Sequence, residues 1–298
     1  MKKAILTGFV LLTAALLINP AIAPARDVPP IVSVEWLQKN LGNPRLIIMD
    51  IRKLEEYGAG HIPGAVYAFY GTWLYPKEGK HMEIPMADDL FEAMGDVGIR
   101  EDSIVVVVGR TDNFFDRIEA ARVVCTLFYG GLKSAGILDG GIEAWVRQGK
   151  PLSTDFVRGK KTEYHGTLNR TIVADKDFAV KQFGKALFVD VRERVLYSGE
   201  KKQEYVTRSG HIPGSVNLPA SEAYTPLGTF KSRSELEAIA SKAVGTDKSR
   251  QIISYCDAGK CCPTWAFVLR EVLGYPNVRL YDGSFEEWSK DPTLPVIK

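Results

Sequence analysis

Apolar positions fall in short runs separated by amphipathic stretches, and the alternation is traversed twice along the chain. Ile104–Val108 and Ile252–Tyr255 are short apolar runs of mostly β-branched and aromatic residues, as strands covered on both faces of a parallel sheet read. Leu46–Met49 and Leu187–Val189 have the same character, and helical spacing occurs between them at Asp89–Met94 and Ser234–Ser241. Strands alternating with helices predict an α/β fold with a central, mostly parallel sheet and helices on both faces.

The second traverse repeats the first. Leu46–Arg52 (LIIMDIR) answers Ala186–Arg192 (ALFVDVR), Gly60–Ala65 (GHIPGA) answers Gly210–Ser215 (GHIPGS), and Leu138–Trp145 answers Tyr281–Trp288. The offsets are 140, 150 and 143 residues, so order is kept while loop lengths drift. A unit of about 130 residues is a whole domain, not a solenoid module. The expected division is a leader at 1–25, a first domain at 26–152, a linker at 153–169 and a second domain at 170–298. Linker composition spans Lys150–Asn169, with Pro151, Gly159, Lys160-Lys161 and Gly166.

The leader changes the expected address of the protein. Lys2-Lys3 precede an apolar run of 15 residues, Ala4–Ile18, which Asn19-Pro20 ends, and small residues follow at Ala21, Ala23 and Ala25. That is the anatomy of a secretory signal, too short for a membrane span, with cleavage expected after Ala25. A periplasmic or secreted chain with no membrane attachment after cleavage is the expectation. Of the 298 residues, 38 are Lys or Arg and 36 Asp or Glu; removing Lys2 and Lys3 leaves 36 against 36. A near-neutral chain has no electrostatic footprint for nucleic acid. Four cysteines in this length exclude a disulfide-dense scaffold.

Three of those cysteines share one loop. Ile252–Tyr255 runs into Cys256-Asp257-Ala258-Gly259-Lys260-Cys261-Cys262-Pro263, after which Ala266, Phe267, Leu269, Val272 and Leu273 continue a helix that Gly274 and Pro276 end. Cys256 therefore stands at the C-terminal end of a strand, where open α/β sheets place ligands. Amides of a loop opening a helix stabilise a thiolate, and Gly259 lets the loop curl around an anionic sulfur. Cys125, by contrast, lies among Val123, Val124, Leu127 and Phe128 and reads as core.

The second unit resembles an active rhodanese domain, and the mature chain resembles a tandem-rhodanese sulfurtransferase over nearly its whole length. The matching residues are Asp190-Val191-Arg192, Gly210–Gly214, Cys256-x-x-Gly259, Ala266–Leu269, Leu273–Tyr275, and Asp282-Gly283 through Trp288. The resemblance implies two rhodanese-like domains and a six-residue loop, Cys256–Cys261, holding a persulfide. Cys256 is then the nucleophile, and Asp257, Ala258, Gly259, Lys260 and Cys261 form the sulfur cradle. Lys260 and Arg192 assist anion binding. A small donor, thiosulfate-like or mercaptopyruvate-like, gives up a sulfane sulfur, and a thiol or cyanide-like acceptor, or a protein, removes it by ping-pong exchange. No cofactor and no metal are implied. The first unit resembles the inactive partner: Gly109 occupies the place of Cys256, and its loop to Arg117 is four residues longer with no cysteine.

Several residues admit a plainer reading. His61 and His211 occur in both units, as do the pairs Asp50–Arg52 and Asp190–Arg192, so scaffold is expected of them, with Arg192 also near the strand end that faces the site. Arg110 and Arg117 are expected on a solvated surface. Asp257 beside the cysteine, with Lys260 the loop's only cation, disfavours a dianionic donor. Cys261 and Cys262 are candidate resolving thiols, which leaves a thiol–disulfide redox protein or a soft-metal or chalcogen binder as alternatives. A phosphatase-like Cys-x5-Arg loop would require arginine where Cys262 stands, so phosphoryl chemistry is not expected.

Overall fold

The computed structural model describes residues 27–77 and 79–298, so the leader lies outside the described residues. Two five-stranded sheets form, every neighbouring pair parallel. In the first, the order is Ile31–Val32, Ser134–Leu138, Ile104–Val108, Leu46–Asp50, Val66–Tyr67. In the second it is Val173–Ala174, Val278–Tyr281, Ile252–Tyr255, Leu187–Asp190, Val216–Asn217, which is the same topology. A short antiparallel hairpin, Tyr75–Lys77 with Lys80–Glu83, is added in the first domain only.

Both faces of each sheet are covered, which is why the central strands carry no polar face. In Ile104–Val108 the side chains of Ile104, Val106 and Val108 enter one core while Val105 and Val107 enter another. The second of these cores is shared: it continues through Cys256, Trp265 and Leu269 of the other domain. The helices that follow the two central strands, Glu119–Tyr129 and Cys262–Phe267, meet there, with Cys125 Sγ 3.8 Å from the Pro263 carbonyl oxygen. Burial pushes the Cys125 thiol up to about 12, so it behaves as a small apolar side chain. The Cys262–Phe267 helix continues into a π-helical turn, Val268–Val272, and Gly274 ends it with φ of 77°.

Residues 154–172 contain no helix or strand, yet they are strapped to the first domain. Tyr164 is buried with its hydroxyl donating to the Gly130 carbonyl, and Thr162 N–H donates to Gly95.

The G-H-I-P-G turns are built identically. His61 Nδ1 and His211 Nδ1 each lie 2.9 Å from a tyrosine carbonyl, Tyr57 and Tyr197, and each ring stacks on that tyrosine at 3.8 Å. Arg52 and Arg192 each bind their Asp50 or Asp190 at 2.6 Å and donate to the Gly60 or Gly210 carbonyl at 2.8 Å. These groups lock each turn to the end of its strand, the scaffold reading that duplication suggests.

Candidate functional site

The strand Ile252–Tyr255 ends on Cys256, whose carbonyl accepts from Phe285 N–H at 2.9 Å; in the first domain the Gly109 carbonyl accepts from Ile142 N–H at 3.0 Å. Gly109 therefore occupies the position of Cys256. From Cys256 the chain curls through residues 257–261. Gly259 has φ of +80°, a left-handed conformation that glycine adopts without strain, and a Cβ there would stand 2.6 Å from the Asp282 carbonyl oxygen.

Cys256 is itself buried but forms part of the floor of a cavity of about 450 Å³. Around it the cavity is lined by Asp257, Ala258, Lys260 and Cys261; its mouth includes Phe114 and Phe115 from the first domain, with Val195, Leu196 and Tyr205 from the second. Phe115 is well exposed. The longer loop of the first unit, whose helix Phe114–Arg117 is capped by the Asn113 side chain, thus walls the site.

The electrostatics favour a thiolate. Burial alone would push the Cys256 thiol up, but hydrogen bonds from the Cys261 and Cys262 thiols and from the amides of the same two residues outweigh it and hold the group well below its usual range. Cys261 is correspondingly held well above its usual range, first by its bond to Cys256 and then by burial; for Cys262 burial comes first and the bond to Cys256 second. All four cysteines are free. Among the described residues, the amides of Asp257, Ala258, Gly259 and Lys260 have no protein acceptor, although the first three residues are buried.

The cations expected to assist an anion are already engaged. Arg192 is buried, with Asp190 and Gly210 taking its Nε and Nη2 and Asp257 Oδ1 accepting from Nη1 at 3.2 Å; its guanidinium also lies 4.3 Å from the Phe285 ring centre. Lys260 Nζ pairs with Glu119 at 3.1 Å. Asp257 is pushed up to about 7, chiefly by burial, with Arg192 pulling it down and the Cys256 thiolate raising it. Arg117 is not simply solvated: its guanidinium donates to Thr111, Thr225 and Pro226 carbonyls and ties the two domains together. Arg110 pairs with Glu56 and Asp112.

Two functional neighbours escape sequence reasoning. Ser284 Oγ accepts the Cys256 N–H at 3.2 Å, donates to the Tyr281 carbonyl at 2.7 Å, and lies 3.9 Å from Cys256 Sγ. Among the described residues it is the one non-glycine with positive φ, 50°, and its counterpart Gly141 has φ of 57°. A serine where the other unit has glycine was the available signal. Arg122, from the Glu119–Tyr129 helix, is wholly buried and donates to the Gly259 carbonyl at 3.0 Å. Its signal was a lone cation inside an apolar helical run. Among the described residues, no three His, Cys, Asp or Glu side chains converge as metal ligands would, and no helix is long and apolar enough to cross a membrane.

The family described as "Rhodanese-like domain" matches residues 33–148 and again 176–291. Over 282 residues the chain is 32% identical to a sulfur carrier protein, TtuD, of Thermus thermophilus, covering 90% of this chain and 96% of that one. A Mycolicibacterium smegmatis protein, provisionally named thiosulfate sulfurtransferase, is 32% identical over 275 residues, covering 89% and 96%. Among solved structures, an EanB variant described with a cysteine persulfide and ergothioneine superposes with a TM-score of 0.79 at 24% identity, covering 90% of this chain and 70% of that one.

Proposed function

This chain belongs to the rhodanese-like domain family, as a sulfurtransferase with two such domains in tandem, and from that premise we propose that it works outside the cytoplasm through a persulfide on Cys256. A small donor and a small acceptor visit the same cavity in turn. In the first half-reaction the Cys256 thiolate attacks the outer sulfur of the donor; with thiosulfate, Cys–S⁻ and S–SO3²⁻ give Cys–S–S⁻ and sulfite. In the second, a nucleophile such as cyanide or a thiolate takes the outer sulfur and leaves the original thiolate. No electron acceptor is needed. The observation that carries this reading is a buried Cys256 at the end of its strand, with Ser284 Oγ 3.9 Å from its Sγ, beside a curl in which the amides of residues 257–260 have no protein acceptor, which fits a second, anionic sulfur. EanB, described with a cysteine persulfide, has the same fold.

The cavity also bears on the donor. Its cations are paired with Asp190, Asp257 and Glu119, and apolar side chains such as Met82, Phe114, Phe115, Val195 and Leu196 line much of it, with Glu193 and Gln203 also present. We therefore favour an uncharged or singly charged donor with an organic body, mercaptopyruvate-like, over dianionic thiosulfate. The acceptor is a thiol or a cyanide-like nucleophile, with a protein thiol as an alternative. Export rests on the leader at 1–25 and is checked by the N-terminus of the mature protein, expected at Arg26.

Intact-mass measurement after incubation with each donor tests the chemistry. A gain of about 32 Da that maps to Cys256 and is removed by cyanide is expected. A loss of about 2 Da, which Cys261→Ser and Cys262→Ser abolish, would instead establish a dithiol–disulfide couple. Transfer that survives Cys256→Ser would overturn the nucleophile.

A further inference from the structure

The first domain has no nucleophile, yet one of its side chains reaches the loop that has one. Arg122 donates from Nη1 to the Gly259 carbonyl at 3.0 Å and to Asp282 Oδ1 at 2.8 Å, and from Nη2 to the Met82 carbonyl at 2.7 Å. Asp282 supplies the counter-charge that a wholly buried guanidinium requires, and its other oxygen accepts Ile84 N–H at 2.8 Å. The guanidinium is therefore held by Asp282 and the Met82 carbonyl as well as by the loop.

What it meets decides the direction of a peptide. In a planar trans peptide the C=O and the following N–H point opposite ways. With the Gly259 carbonyl turned toward Arg122, the Lys260 N–H points away from Arg122, and it has no protein acceptor. The left-handed φ of Gly259 makes this orientation accessible, and a Cβ at 259 would lie 3.1 Å from Arg122 Nη1. We propose that Arg122 is a positioning residue for sulfur transfer: by gripping the Gly259 carbonyl it fixes the curl of residues 257–261 and aims the Lys260 amide at the sulfur carried by Cys256. The domain without a nucleophile thus completes the cradle of the domain that has one. This rests on Cys256 being the nucleophile.

The test uses the full mature chain. The rate of Cys256 alkylation by iodoacetamide against pH reports the thiolate midpoint, and thiosulfate:cyanide turnover gives kcat and KM. Arg122→Met is expected to raise the midpoint by about one pH unit and to lower kcat at neutral pH by about tenfold or more, with KM moving less. Arg122→Lys keeps the charge but cannot serve all three acceptors, so a shift of roughly half that size is expected. Asp282→Asn removes the counter-charge that helps to hold the guanidinium, so its midpoint should move in the same direction as that of Arg122→Met but less far. A wild-type midpoint and kcat in folded Arg122→Met overturns the proposal. Should Arg122→Met fail to fold, a wild-type midpoint in Arg122→Lys overturns it equally. Cys256→Ser tests the underlying reading separately: transfer that persists in it refutes the nucleophile whatever the Arg122 variants do.

Discussion

Replacing Asp257 by Asn isolates the electrostatic cost of an acid next to the nucleophile. Asp257 lines the same cavity as Cys256, and its carboxyl is pushed up to about 7, by burial first, with Arg192 opposing and the Cys256 thiolate adding to the rise. Because that influence is mutual, the carboxylate disfavours negative charge on the cradle as well. Two unit charges about 6 Å apart at an effective dielectric of about 20 interact by roughly 3 kcal/mol. The neighbouring Arg192 guanidinium discounts this by about half, leaving about 1–2 kcal/mol, or about 5–30-fold in rate. Asparagine preserves the size and the acceptor for Arg192. At about pH 8, where the wild-type carboxyl is ionised, Asp257→Asn should therefore take sulfur from thiosulfate about 5–30-fold faster. At about pH 6 the wild-type group is mostly protonated and the ratio should approach one. Stability follows the same sign: a carboxyl whose folded value lies above its unfolded value of 3.8 favours the fold most when protonated, and that contribution is lost as pH rises through about 7. The variant should thus gain on wild type in stability above that range. Steady-state sulfite release across the pH interval is the assay. A ratio that stays flat with pH, or a variant slower than wild type on the alkaline side, refutes the electrostatic account.

Other positions give sharper structural readouts. Ser284→Ala leaves the buried Cys256 amide without its acceptor and should cost about 1–3 kcal/mol in urea denaturation. Ser284→Gly loses the same bond but relieves a left-handed backbone worth about 1 kcal/mol, so it should be the more stable of the two; the reverse order would remove the role assigned to that conformation. Cys261→Ala removes a thiol donor from the Cys256 thiolate and should raise the midpoint of Cys256 alkylation by about half a unit or more, whereas an unchanged profile would show that the bond does not matter. Glu83 is pushed up to about 7 by burial first and then by Asp282, above its ordinary 4.5. Its contribution to stability is present below about pH 4.5 and lost as pH rises through 7, so Glu83→Gln should flatten thermal melting between those limits.

The duplication made most of the fold legible. Two copies of one pattern, with short apolar strands and helical stretches between, specify two parallel sheets covered on both faces. The structure extends Leu46–Met49 and Leu187–Val189 through Asp50 and Asp190. It also adds Ser134–Leu138, Val278–Tyr281, four two-residue edge strands and the Tyr75–Lys77/Lys80–Glu83 hairpin, which are too short or too mixed to read from the pattern. The tandem rhodanese character was likewise readable, because the motifs that carry it are local and ordered. Duplication also separated scaffold from chemistry. Groups present in both units, His61 with His211 and Arg52 with Arg192, turn out to make the same bonds in each. What hid Arg192's commitment to Asp257 is that a salt bridge spanning 65 residues leaves no spacing signature.

The residues that sequence reasoning missed are the ones in which the copies differ or touch. Ser284 is visible only when set against Gly141: at matched left-handed φ, one unit uses the residue that needs no side chain, and the other bears the strain to place a hydroxyl under the nucleophile. Arg122 is visible only once the two equivalent helices are packed together, since its partners are 40, 137 and 160 residues away. The same contact gives the domain without a nucleophilic cysteine a structural part in the loop. The interface buries one face of each sheet in a shared apolar core, and into that core it sends a single guanidinium whose acceptors include the catalytic loop. Cutting the second domain free would remove the cover of Cys125 from Pro263 and of Arg122 from Gly259, so an isolated second domain should be both less stable and poorly preorganised. On the proposed reading the asymmetry between the units is a division of labour: one copy supplies the thiolate, and the other fixes the shape of the loop around it.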